Sequence, residues 1–73
     1  MDWRVQVGEN VRRFRLARGL SQERLAFEAS IDLTYLGGIE RGRRNPSLLV
    51  MVRISQSLNV PLSALVTETS EVD

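Results

Sequence analysis

Capping residues and glycines divide this chain into short helical segments, and this division constrains its fold more strongly than any other feature of the sequence. Ser21, Asp32 and Ser47 are residue types preferred immediately before a helix, because their side-chain oxygens accept free backbone N–H groups. Gly19 and Gly42 favour the left-handed backbone that ends a helix. Apolar residues between these signals recur at helical spacing, and no segment alternates at period two. The pattern predicts an all-α protein with five short helices.

The predicted helices form one small domain. The first runs from about Val5 to Arg18, the second follows Ser21, and the third extends from Leu33 to about Arg41. The fourth follows Ser47, and the fifth is a short final turn. With 73 residues the chain suffices for a single domain, residues 1–73, with its core at about 8–66. The polar residues 67–73 are predicted to fray.

The composition excludes several classes of protein. The chain contains no cysteine and no histidine, so it lacks disulfides, thiolate zinc ligands, a thiol nucleophile and the commonest general base. Because no clustered pair of acidic residues is visible either, we predict no enzymatic activity, no metal and no cofactor. The longest apolar run, Leu48–Val52, is far shorter than a membrane span. The amino terminus lacks the features of a signal peptide, so a cytoplasmic location is expected.

The positive charge is concentrated in the first part of the chain. All ten basic residues are arginines and lie at or before Arg53, where six acidic residues leave a net charge of +4. From Ile54 onward, three acidic residues and no basic residue give −3. Arginine binds phosphate and guanine in a bidentate manner that lysine cannot match. The distribution favours a polyanionic partner on one side of the molecule, although a basic cluster of this size is equally typical of solvated surface.

Two central segments carry a resemblance to a known family. Residues 19–26 read GLSQERLA, and residues 35–48 read YLGGIERGRRNPSL. They resemble the helix-turn-helix domains of the Cro/cI type, also called the XRE family, and the likeness covers about residues 8–66. Thr34-Tyr35 and residues 38–41 are most similar to the controller proteins of restriction–modification systems. The resemblance implies a five-helix, lambda-repressor-like domain in which helices 2 and 3 form the helix-turn-helix and residues 33–41 form the recognition helix.

The residues between helices 2 and 3 suit this arrangement. Ala26 is small where the two helices would cross, and apolar residues of both helices can fill the wedge between them. Ser30 to Asp32 would form the turn. The family usually has glycine at the position of Ser30, because the backbone there tends to be left-handed, and serine would cost roughly 1 kcal/mol.

The resemblance implies a set of DNA-binding residues. Leu33, Thr34, Gly37 and Gly38 would face the major groove, where Leu33 can pack on a thymine methyl group. The residues at the start of helix 2 and in the loop after helix 3 would contact phosphates. The full set is Gln22, Leu33, Thr34, Tyr35, Gly37, Gly38, Arg41, Arg43, Arg44, Asn45 and Ser47.

Other roles remain open for several of these residues. Leu33 can be partly buried against the previous turn, and Tyr35 can pack in a semi-buried position instead of contacting phosphate. Gly37 and Gly38, which are unfavourable in a helix, can serve close contact between helices instead of contact with DNA. Gln22 can be an ordinary exposed residue.

Arg15 and Glu40 are interpreted as structural despite their charge. In the family, the matching pair forms a semi-buried ion pair that ties helix 1 to helix 3. Removing one partner would leave the other charge buried and could cost about 3 kcal/mol or more.

The fourth helix and the following turn contain more apolar residues than one buried face requires. Leu48, Met51, Ile54 and Leu58 account for the inward face of helix 4. The excess favours a two-fold dimer, in which the recognition helices lie about 34 Å apart and bind a palindromic site; a larger core is the alternative. The residues predicted at the dimer interface are Leu49, Val50, Val52, Leu62, Leu65 and Val66.

These features together favour a transcriptional regulator that binds specific double-stranded DNA as a homodimer. It would occupy an operator within the nucleoid and block or recruit RNA polymerase, which is a further candidate partner. The alternative is an antitoxin-like or other protein-interaction module built on the same fold, whose apolar carboxy-terminal region would bind another protein.

Overall fold

The computed structural model describes residues 1–69 and contains five helices in that part of the chain, with no strand there. The prediction of an all-α, five-helix domain is confirmed. None of the helices in residues 1–69 combines the length and the apolar character that crossing a bilayer requires. The helices are α1 Trp3–Ala17, α2 Gln22–Ala29, α3 Leu33–Glu40, α4 Leu48–Leu58 and α5 Leu62–Leu65.

Side-chain caps explain where the helices begin. Ser21, Asp32 and Ser47 each accept a hydrogen bond from the backbone N–H three residues later, at 3.0 to 3.2 Å. Such a cap typically contributes about 1 kcal/mol to stability. Asp2 caps α1 in a related way, which moves the start of that helix to Trp3, two residues before the predicted start.

Within residues 1–69, two non-glycine residues adopt the left-handed conformation, and each ends a helix. Ser30 has φ of 58° after α2, in the conformation that the resemblance implied for this position. Asn59 has φ of 59° after α4. The sharp turn at Ser30 allows α3 to cross α2 directly.

The core lies between the helices: α2 packs against α3 and α4, and α1 packs against α3, α4 and α5. α1 and α3 approach closely at Gly8, because a Cβ atom at this position would overlap the carbonyl oxygen of Ile39 and lie 2.9 Å from that of Glu40. No side chain fits between these two backbones. The buried apolar residues are Val7, Val11, Leu25, Ala26, Ala29, Leu36, Ile39, Ile54, Leu58 and Leu65.

The structure corrects the predicted inward face of α4. Leu48 was expected to face the core but is 60% exposed, because the first turn of α4 projects beyond the edge of the core. Burial increases along the helix, from Met51, which is half-buried, to Ile54, which is fully buried.

The chain end up to residue 69 forms hydrogen bonds with α1, and the fraying predicted for residues 67–73 stays a prediction. The buried amide of Asn10 donates to the carbonyl oxygens of Leu65 and Thr67, each at 2.9 Å. The Thr69 hydroxyl donates to Asn10 Oδ1 at 3.0 Å and accepts from Gln6 Nε2 at 2.9 Å. Residues 70–73 lie outside the described part of the chain.

Candidate DNA-binding surface

The crossing of α2 and α3 is held together by apolar contacts and a tight turn. Leu25, Leu36 and Ile39 are essentially fully buried between the two helices and the rest of the core. Ala26 is also buried, and its carbonyl oxygen accepts a hydrogen bond from the N–H of Ile31 at 2.9 Å. The position of α3 on the surface is therefore set by packing over its whole inner face.

A buried ion pair fixes α3 against α1. Arg15 Nε lies 2.6 Å from Glu40 Oε2, and Arg15 Nη2 lies 3.0 Å from Glu40 Oε1, so the contact is bidentate. This hydrogen bonding raises the pKa of Arg15 above its ordinary value, against the opposing effect of burial. The remaining nitrogen, Nη1, donates to the carbonyl oxygen of Leu20 at 2.8 Å. Arg15 and Glu40 thus form the ion pair that the resemblance implied.

Gln22 extends this pair to α2. Its Nε2 atom donates a hydrogen bond to Glu40 Oε1 at 2.9 Å, and its side chain is half-buried. An amide nitrogen carries two protons, and only one is required for this bond. Gln22 is therefore a positioned residue, not an ordinary exposed one, and its second proton can be donated to an external acceptor.

The start of α3 presents side chains outward. Leu33 is 41% exposed and Thr34 is also exposed, whereas the next residue, Tyr35, is half-buried against the core. Because Asp32 caps the helix here, Leu33 and Thr34 lie in its first turn, at the end that points away from the domain core. They form an accessible pair of side chains at the amino end of α3.

Gly37 and Gly38 are buried, and the neighbouring atoms are arginine side chains. A Cβ atom on Gly37 would lie 3.2 Å from Arg41 Nη1, and one on Gly38 would lie 2.8 Å from Arg44 Cγ. Both glycines are predicted either to face the major groove or to serve close contact between helices, and the atoms nearest to their Cβ positions belong to arginines. Two flexible arginine side chains cover this part of α3.

The loop after α3 is strongly basic. Arg41, Arg43 and Arg44 are exposed, and none forms an ion pair with another residue of the described segment 1–69. Asn45 is also exposed, while Pro46 is buried and anchors the loop. Three positive charges without an ion-pair partner in residues 1–69 therefore follow the carboxyl end of α3, and one of them, Arg44, reaches back to Tyr35, with its Cζ atom 5.7 Å from the ring centroid. Ser47 follows the loop and uses its hydroxyl oxygen to cap α4.

The predicted dimer residues do not form one exposed set. Leu49 is 69% exposed and Val66 is 43% exposed. Leu65 is wrong as an interface residue, because α5 folds back and buries this side chain fully in the core. Val50, Val52 and Leu62 are half-buried. Leu48, which was expected in the core, is also exposed in this region and was missed as a candidate interface residue. Its place at the first position of α4 is the sequence feature that could have predicted this exposure.

The geometry defines a class of protein. Two short helices joined by a tight turn, an accessible start of the second helix and an adjoining basic loop are the features of a helix-turn-helix DNA-binding domain. The resemblance is also found by comparison with known sequences. The sequence model of the family described as Helix-turn-helix matches residues 11–65, and this chain belongs to that family.

Individual relatives agree with this assignment. An uncharacterised HTH-type transcriptional regulator, y4dJ of Sinorhizobium fredii, is 41% identical over 71 residues, which cover 97% of this chain and 92% of the relative. The control protein C.BamHI of Bacillus amyloliquefaciens is 47% identical over 58 residues, which cover 78% of this chain and 72% of that protein.

A solved structure is similar in fold as well as in sequence. The restriction–modification controller protein C.AhdI from Aeromonas hydrophila superimposes with a TM-score of 0.83 at 42% identity, covering 85% of this chain and 94% of that protein. The predicted resemblance to XRE-type domains, and to controller proteins among them, is confirmed.

Proposed function

We propose that this protein is a transcriptional regulator that binds specific double-stranded DNA as a homodimer. The observation that carries the proposal is the accessible amino end of α3 together with three arginines that follow its carboxyl end and have no ion-pair partner in residues 1–69. Duplex DNA presents a wide groove that accepts a helix, flanked by phosphates that attract guanidinium groups.

In this proposal the first turn of α3 reads bases. Leu33 packs on the methyl group of thymine. This group distinguishes thymine from the other bases in the major groove, and an apolar side chain can contact it. Thr34 contacts either a methyl group through its own methyl or a base edge through its hydroxyl. Both side chains are exposed and lie on a helix whose inner face is fully packed.

A second group of residues binds the sugar–phosphate backbone. Gln22 donates one amide N–H to a phosphate while its other amide N–H remains hydrogen-bonded to Glu40 Oε1. The backbone N–H groups at the start of α4 favour an anion close to Ser47. The remaining phosphate-binding residues of the proposal are Tyr35, Arg41, Arg43, Arg44 and Asn45.

Contact between DNA and the two glycines of α3 requires a rearrangement. Arg41 covers Gly37, and Arg44 covers Gly38. Moving the guanidinium end of Arg41 to a flanking phosphate would uncover the backbone of Gly37 and allow DNA to approach it. Gly38 lies beneath the stem of Arg44, so its groove-facing role requires that this stem leave α3; the alternative is that Gly38 supports Arg44 at the DNA surface.

We assign dimerisation to the apolar surface at the start of α4 and the end of α5. Leu49 and Val66 form its exposed part together with Leu48, and Val50, Val52 and Leu62 contribute at its margin. A two-fold axis through this surface would separate the recognition helices by about 34 Å, one turn of duplex DNA.

The relatives support a narrower assignment to the controllers of restriction–modification systems. C.AhdI is named as such a protein and C.BamHI as a control protein, and both align with most of this chain. We infer a regulator without enzymatic activity that occupies an operator in the nucleoid and blocks or recruits RNA polymerase.

The exposed apolar surface also favours a second candidate function. Leu48, Leu49 and Val66 could bind a different protein, as in an antitoxin, instead of a second copy of this chain. Purification in the absence of DNA distinguishes the two proposals. A homodimer contains two copies of a single kind of polypeptide, whereas a complex with a toxin contains two different polypeptides.

The decisive experiment is selection of bound sequences from a random pool of duplex DNA. We expect an inverted repeat with half-sites one helical turn apart. Thr34→Ala should alter the preferred base at one position of each half-site, whereas Arg43→Ala should weaken binding to all sequences alike. A pool that yields no enriched motif would contradict the proposal, and uniform losses in both variants would contradict the assigned roles.

A further inference from the structure

The side chain of Arg44 lies in a defined position against α3, although it is exposed. Its Cγ atom is close enough to Gly38 that a Cβ atom there would lie at 2.8 Å, with Arg44 Nε at 3.4 Å and Cδ at 3.6 Å. Real Cβ atoms do not approach other atoms this closely, and Cγ belongs to the stem of the side chain, not to its movable end. Only glycine at position 38 allows Arg44 to lie here.

Tyr35 completes the contact on the same face of α3. It precedes Gly38 by three residues, so both lie on one side of the helix. The Cζ atom of Arg44 is 5.7 Å from the centroid of the Tyr35 ring, within the range of a cation–π interaction. The backbone supports this arrangement, because the N–H of Arg43 donates to the carbonyl oxygen of Gly38 at 2.9 Å and brings the loop back along the helix.

We propose that Tyr35 and Gly38 form a seat that positions Arg44 for a DNA phosphate, which makes Gly38 a positioning residue of the DNA-binding surface. This inference rests on the proposed function. A guanidinium group that is held near its binding direction loses less conformational freedom on binding than a freely moving one. A larger residue at position 38 would lift the stem off α3 while leaving the charge of Arg44 unchanged.

The seat accounts for a helix position that is otherwise unfavourable. Glycine weakens a helix relative to alanine, and Gly38 is in the interior of α3. Gly37 differs, because the atoms nearest to its Cβ would belong to the guanidinium end of Arg41, with Nη1 at 3.2 Å. That end of the arginine can move aside at little cost, so Gly37 does not position Arg44.

A double-mutant cycle tests the seat. The wild type, Gly38→Ala, Arg44→Ala and the double variant are titrated against a labelled duplex carrying the selected operator, by fluorescence anisotropy at several salt concentrations. Arg44→Ala should weaken binding about tenfold and reduce the salt slope by roughly one unit. Gly38→Ala should weaken binding roughly two- to tenfold in the wild type, and should have no measurable effect in the Arg44→Ala background.

Two controls accompany the cycle. Gly37→Ala should change affinity by the same factor with or without Arg44, because its neighbour is Arg41. Thermal unfolding should show that Gly38→Ala folds, since alanine favours the helix and Arg44 can move into solvent. If the single variant Gly38→Ala does not fold, the seat predicts that the double variant folds, because removing the Arg44 side chain removes the clash with the new Cβ atom. A double variant that also fails to fold would overturn the proposed seat.

The outcomes separate this inference from the proposed function. Equal losses from Gly38→Ala in both backgrounds would indicate that Gly38 meets DNA directly and would overturn the seat, as would the absence of any loss. Wild-type affinity in Arg44→Ala would overturn the role of Arg44, and the seat with it, while DNA binding itself stands. A wild-type protein that binds no duplex would overturn the proposed function.

Discussion

At the scale of single residues, charge has two distinct uses in this protein. Arg15 and Glu40 are buried and satisfy each other in a bidentate contact, whereas Arg43 and Arg44 are exposed with no ionic partner in residues 1–69. The first use contributes to the fold, and the second keeps positive charge available to a polyanion. Residue type alone does not separate these uses; the buried pair was expected from the resemblance to the family, and the structure shows it.

The buried pair yields a stability prediction. Glu40→Gln should lower the free energy of unfolding by about 3 kcal/mol, because it leaves the Arg15 guanidinium buried without a negative partner. Urea denaturation at a fixed protein concentration measures this change.

Glu28→Gln is the matched control for this prediction. It removes an equally short contact, 2.7 Å between Arg24 Nε and Glu28 Oε2, but one that is open to solvent. Its cost should stay below about 0.5 kcal/mol. Similar losses in the two variants would show that burial does not govern the contribution of Glu40.

At the scale of secondary-structure elements, the joint between α2 and α3 depends on one backbone conformation. Ser30 has φ of 58°, a region that residues with a Cβ atom rarely adopt outside turns. The strain is small and is offset by the packing of Leu36 and Ile39 against the core. The turn can therefore keep a serine where the family more often has glycine.

Ser30→Gly should increase the free energy of unfolding by roughly 0.5–1 kcal/mol, since glycine adopts left-handed backbone without steric cost. Ser57→Gly provides the opposite case, because Ser57 lies inside α4, where glycine is unfavourable by up to about 1 kcal/mol. Chemical denaturation measures the free energy of unfolding of both variants, which should increase in Ser30→Gly and decrease in Ser57→Gly. A loss of stability in Ser30→Gly would contradict the strain assigned to this turn.

At the scale of the whole molecule, the exposed apolar residues are unevenly distributed. Leu48 and Leu49 lie at the start of α4 and Val66 directly after α5, Trp3, Val5 and Leu16 lie on α1, and Phe27 is the one exposed large apolar residue of α2. A cluster of this kind is typical of an interaction surface, and a single exposed apolar side chain is not.

The dimer proposal therefore predicts different results at two equally exposed positions. Leu49 is 69% and Phe27 is 76% exposed, so neither substitution disturbs the core. Leu49→Asp should convert the protein to a monomer and weaken operator binding, because a charge would be buried at the interface. Phe27→Asp should leave self-association unchanged. Sedimentation equilibrium measures both, and a dimeric Leu49→Asp protein would rule out this surface.

The sequence by itself determined the all-α class, the order of the helices, their capped starts and the location of the basic loop. These features depend on local interactions, such as the hydrogen bond that Asp32 accepts from the backbone N–H three residues later. Such interactions can be predicted from residues that are close together in the sequence. The assignment of α3 as the recognition helix is what the resemblance of the motif residues implies, and it stays a prediction.

Tertiary structure alone decided which apolar and small residues are buried. Leu48 and Leu65 exchanged their expected environments, because burial depends on where the core ends and on how α5 folds back, and neither is a local property. Gly37 and Gly38 carry no side chain from which a neighbour could be inferred, so only the folded chain reveals the arginines that cover them. The same reason applies to Gly8, where two distant backbones meet and leave no room for a Cβ atom.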